Sequence, residues 1–281
     1  KIGDCIVLCL PGPPNELQPM FQSVRDDVYS SLELGMPLHT SEIHSWGMAE
    51  SVAGQKIDDL MQSEDPRVSI LMGADGITAR VTGSCGQEMK ATVQEITQRW
   101  SPWVYGNDGA SLAASVGALL VERNGTLATA ESCTGGCLSG LLVSVSGASD
   151  WFQGGWVTYS NELKVSQLGI DQKLIHEHGA VSAEVAVAMC HGAIDRSGSV
   201  CALSTTGISG PTGGSKEKPV GSVYMSCCVD GKMQVRLFRF SGDRKSITFR
   251  AACTALQMLR LQLCNEQAAE MCWQHGAEIQ C

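Results

Sequence analysis

The chain has 281 residues, with 20 Lys+Arg against 29 Asp+Glu and a formal net charge of −9. That acidic balance excludes a surface devoted to nucleic acid or anionic membrane, although a local basic pocket is compatible with it. The 43% hydrophobic and 17% charged shares exclude global disorder, and no apolar run reaches the ~18–20 residues of a membrane helix. A soluble, cytoplasmic globular protein of one to three domains is expected. Thirteen cysteines are scattered without a Cys-x-x-Cys pair. The nearest approach, Cys133 with Cys137, lacks the paired spacing of a zinc site, so reduced, mostly buried thiols and no metal are expected. The chain opens on a strand-like run at 6–10, too short for a secretory signal, and reads as a fragment lacking its upstream part.

Three segments follow in order. Residues 1–35 read as that strand, a Pro-Gly-Pro-Pro loop and a helix capped by Asn15, with Leu17, Met20, Phe21, Val24 and Val28 at helical spacing. Such a pair cannot enclose a core and must dock on something. Residues 36–106 read as a small α/β unit: a strand at 43–46, then a helix at 49–62 burying Val52, Ile57, Leu60 and Met61. A hairpin (68–72 and 77–81) turns at Asp75-Gly76, followed by a helix at 89–100 and a strand at 103–105. This order is compatible with a KH-like layout, but the Gly-x-x-Gly loop with basic flanks is not evident, so nucleic acid is not the expected partner. Residues 107–265 alternate strand and helix signals, predicting a layered α/β/α domain around a buried sheet. Strands are expected at 126–129, 154–159 and 200–205, with a hairpin at 220–228 and 233–240. Helices are expected after Gly136, from Asn161 as cap, at 182–194 and at 246–263, the last burying Ala252, Leu256, Met258 and Leu259 on one side. Residues 266–281 read as a loose or packing tail.

Four glycine- and hydroxyl-rich clusters fall at consecutive strand ends of the third segment. Residues 131–136 (Glu-Ser-Cys-Thr-Gly-Gly) sit between a strand and a helix, where free backbone N–H groups would bind an anion. No Gly-Lys-Ser/Thr follows, so the loop is not a Walker A. Thr158, Tyr159, Ser160 and Asn161 follow the next strand, with Lys164 one turn into a helix. Residues 204–211 form the third cluster, and Gly242-Asp243-Arg244 the fourth, whose guanidinium suits phosphate or carboxylate. Taken singly, each has an ordinary explanation: a tight corner, a surface lysine, a helix-capping aspartate. Together in one domain they point to a site.

The same residues, 130–136, 155–161 with Lys164, 206–211 and 242–244, resemble the CinA C-terminal domain, the nicotinamide mononucleotide (NMN) deamidase family, over about residues 110–264. Residues 10–17 are similar to the end of the molybdopterin-binding-like domain of that family, and 36–106 to its KH-like connector. The resemblance implies hydrolysis of the NMN amide without cofactor or metal, and a homodimer is compatible with it. It implies Ser132 as nucleophile and Lys164 as general base. Tyr159 and Thr206 would orient the amide or stabilise the oxyanion, and Arg244 would hold phosphate or balance charge. Thr134, Gly135, Gly136, Asn161, Gly207 and Gly210 would line the substrate. The family's second arginine, four residues beyond Arg244, is here Thr248. Either the phosphate grip is weaker or Arg250 takes over.

The chemistry is self-consistent. Amide hydrolysis needs an activated nucleophile, a proton shuttle and donors for the oxyanion. His176, His178 and His191 lie outside the four clusters, so a Ser-His-Asp triad is unsupported. A Ser–Lys pair serves if the amine is neutral, which burial or a nearby cation favours. The rivals are a nucleotide- or partner-binding relative without turnover, and single-strand nucleic-acid contact through 36–106.

Overall fold

A computed structural model describes residues 6–30, 32 and 37–276. Residues 6–10 form no strand. Helix α1 (Pro14–Ser30) follows, and it starts on Pro14, so Asn15 lies inside it rather than capping it. Proline at the first helical position supplies a fixed φ where no N–H is needed. None of α1 is fully buried, and Leu17, Phe21, Val24 and Val28 are its half-buried residues. The expected boundary near residue 35 and the last residues of the tail lie outside the described residues.

The second unit is a four-stranded antiparallel sheet in the order β2 (Arg67–Gly73), β3 (Gly76–Gly83), β1 (His39–Ser45), β4 (Val104–Asn107). Period-two alternation sends Ile43, Ile77, Ala79 and Val81 into a core with Ile57, Met89, Ile96 and Trp100 from α2 (Glu50–Ile57) and α3 (Gly86–Trp100). The other face carries directly opposed polar pairs: Thr40 with Thr82, Glu42 with Arg80, and His44 with Thr78. The helix expected over 49–62 breaks at Ile57, and a single tighter turn follows at Leu60–Gln62. It buries Ala53 and Ile57 and leaves Val52 and Met61 exposed, so the expectation for those two was wrong.

The third unit is the expected three-layer α/β/α domain. Its sheet runs β6 (Phe152–Val157), β5 (Leu127–Glu131), β7 (Cys201–Gly207), β8 (Ser222–Val229), β9 (Lys232–Arg239). The first three strands are parallel, and β8 and β9 add an antiparallel hairpin. Alternation along β5 sends Leu127 to one face and Ala128 and Ala130 to the other. Helices α4 (Leu112–Glu122), α5 (Cys137–Val143) and α9 (Arg244–Leu263) cover the first face. Helices α6 (Asn161–Leu168), α7 (Gln172–His178) and α8 (Ala183–Ser197) cover the second. The sequence reading missed α4 and α7. The cap of α6 is Ser160, whose hydroxyl accepts from the Leu163 N–H, not Asn161.

Helix α9 is buried on every side from Ala251 to Leu263, not on one, because the second unit packs against its outer face. Trp46 Nε1 donates to the Thr254 hydroxyl, and Gln257 Nε2 donates to the carbonyls of Trp46 and Trp103. Nor is the tail loose. Residues 264–276 strap β9, with the Arg239 N–H donating to Trp273 O and the His275 N–H to Leu237 O. The buried Arg236 guanidinium donates to the carbonyls of Gln267 and Ala269 and to Gln274 Oε1. The strap also reaches the second unit, through Cys272 N–H to Gly47 O and Trp103 Nε1 to Glu270 O. Among the described residues every cysteine is unpaired, no cluster of metal ligands occurs, and no helix is long and apolar enough to cross a membrane.

Candidate active site

Strand β5 pairs with β6 on one side and β7 on the other. The chain leaves β5 at the point where the connections diverge, and in open α/β sheets ligands enter there, beyond the carboxyl ends of the strands. Ser132 is the first residue past that end. Its N–H donates to Thr205 O of β7, and the Thr158 N–H donates to Glu131 O, so both neighbours pin the start of the loop.

Lys164, one turn into α6, reaches back to the same point. Its Nζ lies 3.0 Å from Ser132 Oγ and 2.8 Å from Thr158 O. The residue is 1% exposed and forms no ion pair among the described residues. Burial is the main cause pulling its pKa below the ordinary lysine value, with smaller opposing effects from Cys133 and Glu162. A neutral amine has two N–H bonds and one lone pair. One N–H directed at Thr158 O leaves the lone pair free to accept the Ser132 proton. The neighbouring Cys133 thiol is pushed up to about 12 by burial, which keeps it protonated and inert.

The loop is held from beneath by a group that motif reading did not single out. Glu131, fully buried, turns its carboxylate into the start of α5, accepting from the N–H groups of Gly136, Leu138 and Ser139 and from the Ser139 hydroxyl. The expectation of free N–H groups for a substrate anion at this helix end is therefore corrected: an internal carboxylate fills it. Gly136 adopts φ +96°, in the left-handed region, which lets the chain turn under that carboxylate. Among the described residues the N–H groups of Cys133 and Thr134 donate to no other residue. They are the free backbone donors beside Ser132.

Thr134 shares a 2.7 Å hydrogen bond with Thr205. Thr206, expected to act on the amide, donates its only hydroxyl proton to Ala180 O at 2.6 Å, so in this arrangement it can accept but not donate. Tyr159 is exposed and accepts from Arg244 Nη2 at 2.6 Å, while Arg244 Nη1 donates to Gly210 O at 2.8 Å. Arg244 therefore clasps two of the loops together. Gly207 and Gly210 serve close backbone approach, against Ser222 and Val220. Asn161 is exposed and lines a different cavity with His176, between α6 and α7. Arg250 does not join the site: its Nη1 donates to Ser241 O and its guanidinium stacks over Trp273, 5.8 Å from the ring centre. Thr248, in the second-arginine position, sets its hydroxyl 3.5 Å from Cys133 O.

Comparison with known proteins follows the two units. The family described as the CinA C-terminal domain matches residues 109–263, and the damage-inducible protein CinA KH domain matches 40–106. A CinA-like protein of Dictyoglomus thermophilum is 36% identical over 270 residues, covering 94% of this chain and 66% of its own length. The chain thus spans just under two thirds of such relatives. Among solved structures, competence/damage inducible protein CihA from Agrobacterium tumefaciens is 38% identical with a TM-score of 0.52, covering 54% of this chain and 93% of its own. Competence damage-inducible protein A from Klebsiella pneumoniae is 31% identical with a TM-score of 0.53, covering 54% and 95%.

Proposed function

The chain belongs to the CinA family, and on that premise we propose that its C-terminal domain hydrolyses the carboxamide of NMN to nicotinate mononucleotide and ammonia. The observation that carries this reading is the buried Lys164 amine, 3.0 Å from Ser132 Oγ and without a salt bridge among the described residues. Neutral Lys164 takes the Ser132 proton as Oγ attacks the carbonyl carbon, and the oxyanion develops beside the free N–H groups of Cys133 and Thr134. The C–N bond then breaks, the leaving nitrogen takes the proton back from Lys164, and ammonia departs. Water attacks the resulting ester, giving its proton to Lys164. The C–O bond to Ser132 breaks, and Oγ recovers the proton as the carboxylic acid leaves. Arg244, through Tyr159 and Gly210, holds the loops around the ring in this reading. A homodimer in the cytoplasm belongs to the same proposal.

Purified chain is expected to release ammonia from NMN. Ser132→Ala should abolish the release while the thermal melt stays in place, because the change removes one small, nearly buried hydroxyl. Lys164→Met should lower kcat by ~10²–10⁴, the range of a lost general base. The second reading, a nucleotide binder without turnover, is favoured by Arg250 facing Trp273 instead of the site. It predicts saturable NMN binding in calorimetry with no ammonia released.

A further inference from the structure

An open groove of about 970 Å³ begins beside the Ser132 loop, and its walls come from two units. Cys137, Arg244, Thr248 and Phe249 belong to the C-terminal domain, whereas Ala74 is at the tip of the β2–β3 hairpin of the KH-like unit. Thr248 touches the nucleophile loop at Cys133 O, and Arg244 touches Tyr159. Lys245 stands at the rim, exposed and near the Asp243 carboxylate, and its side chain makes no hydrogen bond or salt bridge among the described residues. The hairpin tip is held in place. Asp75 O accepts from the Tyr105 hydroxyl at 3.0 Å, and Gly76 passes so near β1 that a Cβ there would lie 2.2 Å from Ser45 O. The groove's volume falls within the ~300–1,000 Å³ of small-molecule sites. Apolar Ala74 and Phe249, with the cations of Arg244 and Lys245 against the single carboxylate of Asp243, which is turned to the Ser246 N–H, suit a substrate that carries an anion beyond its amide.

Resting on the amidase reading, we propose that the KH-like unit completes the substrate site. The hairpin tip at Ala74 walls the subsite for the ribose-phosphate half of the nucleotide, and Lys245 supplies charge to the phosphate. The two solved relatives match 54% of this chain over 93% and 95% of their own lengths. That leaves little of their chains to form a counterpart of this wall, which makes it a specificity element of the longer chains.

Ala74→Trp places an indole in the groove at an exposed position. Lys90→Trp, on α3 away from the groove, is the control. Ammonia release and calorimetric NMN binding are measured on both and on the unaltered chain. Ala74→Trp is expected to raise KM and Kd for NMN roughly tenfold, with kcat and the thermal melt in place, while Lys90→Trp matches the unaltered chain. Lys245→Ala is expected to raise KM for NMN severalfold without moving that for nicotinamide riboside, which lacks the phosphate. Unchanged NMN affinity in Ala74→Trp, or an equal loss in Lys90→Trp, overturns the proposal. Binding by the unaltered chain without ammonia release overturns the amidase reading alone, and the Kd comparison still decides the groove. No binding at all overturns both.

Discussion

An amine sealed from water is destabilised in its charged form, and among the described residues Lys164 makes no salt bridge, Glu162 offsetting only a smaller part of that cost. Two consequences share one sign. The catalytic form is neutral, so kcat/KM for NMN is expected to fall as pH drops through a limb lying below the ordinary lysine value of 10.5. Between that limb and 10.5 the unfolded chain binds the proton that the folded chain does not, so stability rises with pH across the window. A pH–rate profile checks the first and denaturant melts the second. Glu162 opposes the lowering, so Glu162→Gln should move the limb slightly toward acid. A limb at the ordinary lysine value would remove the physical basis of the Ser–Lys pair. The pair itself was legible through the resemblance that the motifs at 130–136 and 155–164 carry, since taken singly Lys164 reads as a surface lysine. What motifs could not give is the hydrogen-bond direction at each side chain: that Glu131 faces down into α5, that Thr206 spends its proton on Ala180, or that Arg250 turns to Ser241. Those depend on which neighbours the fold brings near, and spacing along the chain does not encode them.

The elements were readable where periodicity was strong and turns were punctuated, as in the hairpin at Asp75-Gly76 and the helix after Ser182. They failed where those signals conflicted. The 6–10 run is apolar enough for a strand but has no partner strand among the described residues, and an unpaired strand gains nothing from its backbone. Helix α4 is apolar on nearly all sides, so it lacks an amphipathic stripe, although Ser111 is a readable cap, accepting from the Ala114 N–H. The tail read as either loose or packing because its role is set by β9. Removing residues from 264 onward should strip the Arg236 guanidinium of its carbonyl partners and uncover the apolar surface that the strap buries, lowering stability. It should also open the β9 edge to self-pairing. A lowered thermal midpoint with concentration-dependent light scattering is the expected result, and an unchanged midpoint would mean that the strap contributes nothing.

At the scale of the molecule, the KH-like unit is seated on α9 through buried polar contacts. Gln257, fully buried, donates to the carbonyls of Trp46 and Trp103 and accepts from Arg260 Nε at 2.9 Å. Gln257→Ala leaves Trp46 O without that donor and Arg260 Nε without that acceptor, while Trp103 O keeps the Trp46 N–H, and should cost about 1–3 kcal/mol. Amide exchange at Trp46, whose N–H donates to Trp103 O, should speed up while amides of β5 and β7 keep their rates. A uniform acceleration would mean that the two units share one opening event. The acidic balance of the chain, −9, bears on traffic as well. On the amidase reading, hydrolysis turns a neutral carboxamide into a carboxylate, and the nearest helix end is already neutralised from inside by Glu131. The newly formed acid therefore finds the α5 helix end occupied, and among the described residues the N–H groups of Cys133 and Thr134 are the backbone donors left beside it. The overall charge of −9 acts on substrate and product alike and weighs more on the product, which carries one negative charge more than the carboxamide it came from.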